Sequence, residues 1–171
     1  MVGLSTGPIY FTTNAAGVVT PVGGVGGGDG GCHRSDVLVR EQIRGIIEHR
    51  CIRVGDHLWS RSGFTEVLEV ETLPHEEWIH ADFDNGVLDL PMTSGHTFES
   101  AEGKNLRAYD LSAATILRTP TGVTSPTRIQ RMHYEADIVR VRLAAPSTYY
   151  VSMDGKTWLE THNLNRPIQT L

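Results

Sequence analysis

The chain has 171 residues, a formal net charge of −5, 39% hydrophobic residues, 18 Gly and 2 Cys. That length suits one domain with short arms, and it can bury a real core. The acidic balance speaks against a phosphate-backbone binder, so no nucleic-acid partner is expected. Two cysteines at positions 32 and 51 cannot build a disulfide scaffold or a four-thiolate zinc site. No apolar run is long enough to span a bilayer, and Met1–Tyr10 lacks the basic start of a secretory signal. No membrane contact is therefore expected, and a cytoplasmic setting is.

From the N-terminus, Pro8–Thr20 is β-prone, and Val22–Gly31 (VGGVGGGDGG) holds seven glycines in ten positions. So glycine-rich a run loses too much backbone entropy to form an ordinary helix or strand. The Lys-Ser/Thr that would complete a phosphate loop is absent. Residues 1–31 read as an arm that docks on a partner or a sister subunit, and an oligomer is expected.

From Cys32 to Asn163 the pattern is β almost throughout. Val37–Val39, Cys51–Val54, His57–Ser60, Val67–Glu71 and Trp78–Phe83 are rich in β-branched and aromatic residues. Turn signals separate them at Ser62-Gly63, Pro74, Asp84-Asn85-Gly86, Ser94-Gly95, Thr121-Gly122 and Asp154-Gly155. The Asn85-Gly86 step predicts a hairpin joining Ile79–Phe83 to Val87–Leu90. Glu41–Glu48 and Asn105–Ala114 are the two places for short helices, and Cys51 is expected in the core. An internal repeat aligns Leu58–Thr65 with Leu117–Thr124 at an offset of 59. Ile79–Leu90 likewise aligns with Val139–Tyr150. The expectation is a mainly β, pseudo-twofold domain over 32–163, with a tail at 164–171.

The residues able to carry chemistry stand in a particular order. Cys32 follows two glycines, then come Val54-Gly55-Asp56, Ser60–Phe64, Thr93-Ser94-Gly95-His96 and finally His162-Asn163. In that order the chain resembles the Hint family, the hedgehog and intein self-processing domains, over about 132 residues (32–163). The resemblance implies an intein-like pseudo-twofold β fold and an intramolecular acyl shift. Cys32 would attack the Gly31 carbonyl, turning the Gly31–Cys32 peptide bond into a thioester. His96 would protonate the departing nitrogen and Thr93 would steady the bond or its oxyanion. Asn163, assisted by His162, would cut the Asn163–Leu164 bond. No metal or cofactor is implied.

Two departures limit what the resemblance supports. Splicing needs Cys, Ser or Thr after the terminal Asn, and this chain has Leu164. The stretch Ile138–Tyr150, where the family often carries Asp, Asn or His, offers Arg140 and Ser147. Cleavage without splicing is the reaction these residues allow. Residues 9–31 also resemble segments that precede Hint-like regions in tail-tip and fibre-hub proteins of tailed bacteriophages. The resulting expectation is a structural component of the virion tail, assembled in the bacterial cytoplasm. Its arm would bind other tail proteins, and its Cys32-dependent cleavage would be vestigial or conditional; an active, non-splicing self-cleaving domain is the alternative.

Other chemistries fit poorly. His75 and His80 are five apart, not the four of a zincin helix, and Asp82, Asp84 and Asp89 lack calcium-loop spacing. No Gly-x-Ser-x-Gly elbow and no zinc-deaminase signature occur.

Overall fold

A computed structural model describes residues 11–13, 19–21 and 32–162. Among these residues are fifteen strands: β1 (Phe11–Thr13), β2 (Val19–Pro21), β3 (Cys32–Arg34), β4 (Leu38–Glu41), β5 (Gly45–Glu48), β6 (His57–Ser60), β7 (Gly63–Phe83), β8 (Leu90–Thr93), β9 (Thr97–Glu99), β10 (Asn105–Arg107), β11 (Leu117–Arg118), β12 (Val123–Thr124), β13 (Pro126–Leu143), β14 (Thr148–Ser152) and β15 (Trp158–His162). Among the described residues the helical content is two single 3-10 turns, His49–Cys51 and Ala108–Asp110.

Strands β7 and β13 are the frame. They run antiparallel from Phe83↔Pro126 to Val67↔Leu143, with an irregularity between His133 and Ala136 that lets so long a pair bend. At one end β8 pairs with both β7 and β3, and β3 pairs with β13, so β7, β13, β3 and β8 close on themselves. At the other end β6, β4, β14, β15, β9 and β10 continue the sheet. The main core gathers Leu58, Ile79, Met92, Phe98, Leu117, Val139, Tyr149 and Leu159. A smaller cluster of Cys32, Trp78 and Ile138 lies apart from it.

The repeat is visible in the pairing. Leu58↔Thr65 and Trp59↔Phe64 across β6–β7 match Leu117↔Thr124 and Arg118↔Val123 across β11–β12 in both order and register. The second pair of aligned segments diverges. Strand β8 returns along β7 as the Asn85-Gly86 signal predicts, but from Leu90 rather than Val87, because the turn extends to Asp89. Strand β14 leaves β13 altogether and pairs with β15 and β4.

Four expectations are corrected. Glu41–Glu48 is not a helix but the β4–β5 hairpin, turned by Gly45 at φ +78°. Asn105–Ala114 holds β10 and one 3-10 turn, since Asn105–Arg107 pairs with Glu99–Thr97 and too few residues remain for a helix. Cys51 is exposed and ends the 3-10 turn, while Ile52 takes the buried position. Pro74 does not separate two strands: β7 runs through it, because its outer edge there carries no partner among the described residues and needs no N–H.

Glu41 holds the β4–β5 turn in place. Its buried carboxylate accepts hydrogen bonds from the backbone N–H groups of Ile43 (2.9 Å), Arg44 (2.8 Å) and His57 (3.1 Å). Glu41→Ala leaves three donors without their charged acceptor and is expected to cost about 3 kcal/mol. Glu41→Gln, which keeps an acceptor oxygen, should recover part of that when both variants are unfolded in urea.

Candidate active site

The segment Thr93–Thr97 is where the two ends of the described stretch 32–162 meet. On one side β3 pairs with β8 at His33↔Met92, and continuing that register sets Cys32 beside Thr93. On the other side the last described residue, His162, pairs with Thr97 of β9. The Thr97 hydroxyl also donates to the His162 carbonyl at 2.9 Å. Between them Ser94-Gly95 makes a tight turn, closed by the His96 N–H donating to the Thr93 carbonyl at 3.0 Å. Residues distant in sequence are thereby held around one four-residue turn. Gly31, Asn163 and Leu164, the other predicted participants, lie outside the described residues.

His96 is fully buried, and it belongs to a network that sequence spacing did not reveal. Its ring lies 4.2 Å from that of His33, centroid to centroid, and His33 lies 5.4 Å from His49. The tautomers follow from the partners. His33 Nδ1–H donates to the Pro91 carbonyl at 3.1 Å, so its Nε2 must accept from the Thr161 hydroxyl, also at 3.1 Å. The Thr161 oxygen can then only accept from His96 Nε2–H. His49 repeats the pattern, donating to the Val37 carbonyl at 2.7 Å and accepting from the Tyr149 hydroxyl at 2.9 Å. His96 Nδ1 and His162 Nδ1 are left as buried nitrogens with no partner among the described residues.

Burial keeps this network neutral. Desolvation, reinforced by the neighbouring His49, lowers the pKa of His33 from 6.5 to about 3, and desolvation lowers that of His49 to about 4. Desolvation, then His33 and His49, hold His96 well below 6.5. At neutral pH, His96 therefore offers a lone pair on Nδ1 and is not an imidazolium acid. His162 is lowered as well, chiefly by desolvation.

Cys32 lies on a different face. Side chains alternate along a strand. His33, Met92 and Ile79, one row across β3, β8 and β7, point into the main core, whereas Cys32 and Trp78 point to the other side with Thr93 between them. The thiol is 5% exposed and packs in the cluster of Trp78 and Ile138. The site thus has two sides, with the thiol and Thr93 on one and the His33–Thr161–His96 bridge on the other. The β3 backbone, from which Cys32 and His33 point to opposite faces, lies between them.

Thr161→Val tests the bridge. It removes the hydroxyl that joins His33 and His96 and leaves two buried imidazole nitrogens unpaired, so a loss of about 1–3 kcal/mol is expected in thermal or urea unfolding. Thr161→Ser, which restores the hydroxyl, should return most of it.

This arrangement is the fold of intein Hint domains. The structure superposes on the gp41-1 intein with a TM-score of 0.67 at 20% identity, covering 78% of this chain and 99% of that one. It matches the bacterial intein-like domain from Clostridium thermocellum at TM-score 0.67 and 16% identity, covering 77% and 98% of the two chains. It matches the Msm DnaB1 intein splicing domain at 0.63 and 20%, covering 77% and 99%. No protein-family model matches the chain, and no curated protein is significantly similar to it in sequence.

Proposed function

We propose that this chain is a self-processing domain of the non-splicing kind, acting once on its own Gly31–Cys32 bond. The observation that carries the reading is the meeting of both domain ends at the Thr93–Thr97 turn, on a Hint fold. In the shift, the Cys32 sulfur bonds to the Gly31 carbonyl carbon, the C–N bond breaks, and the thiol proton ends on the Cys32 nitrogen. Thr93, adjacent to Cys32 across the ladder, would supply a hydroxyl to the developing oxyanion. His96, neutral and bonded to Thr161, would position the nitrogen side of the bond. Water or an added thiol then opens the thioester and frees residues 1–31. His162 and Asn163 would serve the second cut, before Leu164. Without a nucleophile at 164 the two flanks are not joined. The mass of the intact protein, followed with and without dithiothreitol, tests this reading.

A second reading concerns the arm. Phe11–Thr13 pairs antiparallel with Val19–Pro21, and β1 also lies against β7, so this part of the arm is ordered against the sheet. That favours a structural role, and the proposal is that the arm joins an oligomeric assembly of tail proteins in a bacteriophage virion built in the bacterial cytoplasm. Native mass of the purified chain, and its presence or absence in particles, distinguishes this from a free processing domain.

A further inference from the structure

We propose that Tyr134, backed by His80 and Asp89, accepts the Cys32 thiol proton. The proposal deepens the self-processing reading and rests on it. His96 and the thiol are on opposite faces of β3, so the activating base is to be sought on the thiol's side.

Following the ladder, Cys32, Thr93 and Trp78 make one row, and Arg34, Pro91 and His80 make the row two residues along on the same face. The irregular point of β13 projects Tyr134 over these rows. Its ring stacks on Trp78 at 5.3 Å with planes 5° apart, and it packs against the cluster that holds Cys32. The Trp78 indole N–H donates to the Tyr134 carbonyl at 2.9 Å, which fixes the pair.

The hydroxyl of Tyr134 is the end of a directed chain. Asp89 Oδ1 can only accept, so His80 Nδ1 donates to it at 2.7 Å. The Nε2 of the neutral ring then accepts from the Tyr134 hydroxyl at 2.5 Å, and Arg34 Nη1 donates to the same oxygen at 2.7 Å. Arg34 is held in turn by Asp36, at 2.7 and 3.0 Å. Carboxylate, imidazole and phenol are ordered as in a nucleophile–base–orienter triad, with a guanidinium to stabilise a phenolate. Asp89 reaches His80 from a left-handed backbone, φ +56°, and accepts its neighbour Asp82 as a partner for its N–H at 2.8 Å. Burial raises the Tyr134 pKa against the pull of Arg34, so the phenol passes a proton on and does not rest as the anion. Two titratable neighbours of this cluster among the described residues are paired or neutral. Arg140, opposite Cys32, is 3.2 Å from Glu71, and His75, edge-on to Trp78, is held neutral by burial, with a pKa of about 4.

The step balances. The sulfur proton goes to the Tyr134 oxygen as the Tyr134 proton goes to His80 Nε2, leaving a thiolate and an imidazolium beside Asp89. The thiolate adds to the Gly31 carbonyl, which ends the amide resonance and makes the Cys32 nitrogen basic. The same proton returns through Tyr134 to that nitrogen as the C–N bond breaks.

The test is the thiolate absorbance of the full chain near 240 nm against pH, each protein corrected by its own Cys32→Ala version so that Cys51 and the tyrosines cancel. Wild type should form the Cys32 thiolate roughly one pH unit lower than Tyr134→Phe or His80→Gln. Asp89→Asn, changed at a side chain 65% exposed, should shift the same way and keeps the test valid where a core variant fails to fold. Equal midpoints in wild type and Asp89→Asn, with Tyr134→Phe or His80→Gln in agreement wherever they fold, overturn the proposal, even if wild type is cleaved under thiol. Shifted midpoints with no fragment from any protein uphold the relay and defeat the self-processing reading instead.

Discussion

Incubation with dithiothreitol is expected to release residues 1–31 from the wild-type chain and to leave Cys32→Ala at full mass. The reasoning starts with what holds the reactants. The acyl shift is intramolecular, so the thiol and the carbonyl it attacks are one residue apart, and the fold need only fix their orientation. Strand β3 is pinned on both sides at that point, by Arg140 of β13 opposite Cys32 and by Met92 of β8 opposite His33. The cost of ordering the first residue of the domain is thereby met by the sheet. Without an external nucleophile the thioester and the amide interconvert, and the intact mass persists. An added thiol draws the thioester off by exchange, so the fragment should appear in proportion to thiol concentration. Cys32→Ser, with a weaker nucleophile of similar size, should give far less fragment in the same time. Cys51→Ala, changed at an exposed position outside the site, should cleave as wild type does. Identical intact masses for wild type and Cys32→Ala after prolonged thiol treatment would end the self-processing reading.

Much of the frame was legible because it is written in local chemistry. Turns at Ser62-Gly63 and Asp154-Gly155 put glycine where φ is positive, and the repeated registers Leu58↔Thr65 and Leu117↔Thr124 flank the turns at Ser62-Gly63 and Thr121-Gly122. Cys32, Thr93 and His162 stand on strands that meet at the turn carrying His96, in the order the chain gives them. What was not legible depends on long-range pairing. Partners such as His33 and Thr161 lie 128 residues apart, and a single histidine after Cys32 carries no spacing that marks it. His49 likewise reaches Tyr149 across 100 residues. A signal did exist in Thr161 beside His162, since neighbouring residues of one strand serve opposite faces. Pro74 misled because a proline reads as a stop, and only the pairing decides whether its missing N–H matters. Tyr134 was hidden for a similar reason: an irregularity in β13 aims it, and nothing in EADIVRV or RMHYE announces one.

Acidification from pH 7 to pH 5 is expected to destabilise the fold before the carboxylates with lowered pKa values titrate. Four buried histidines have folded pKa values far below the ordinary 6.5: His33 at about 3, His49 and His75 at about 4, and His96 lower than the ordinary value by burial and its neighbours. In the unfolded chain each takes up a proton below about pH 6.5, while in the fold it stays neutral. The unfolded state then binds more protons, so stability is full above pH 6.5 and falls as pH drops toward the folded values. By linkage each such histidine removes about 2 kcal/mol between pH 7 and pH 5. Even two acting independently would take a large part of the roughly 5–15 kcal/mol that holds a typical domain together. The acidic groups with lowered values act in a separate window. Asp154, at about 2 through hydrogen bonds from Thr157 and Lys156, loses its contribution only below about pH 4. Thermal melts should therefore show a midpoint that falls steeply between pH 6.5 and pH 5 and is nearly level from pH 7 to pH 8. His49→Gln, which can keep one of the two hydrogen bonds to Val37 and Tyr149, should be less stable at pH 7 and less sensitive to acid. A level midpoint down to pH 5 in wild type would mean that the buried histidines are not held neutral, and that the tautomers assigned to the His33–Thr161–His96 bridge are wrong.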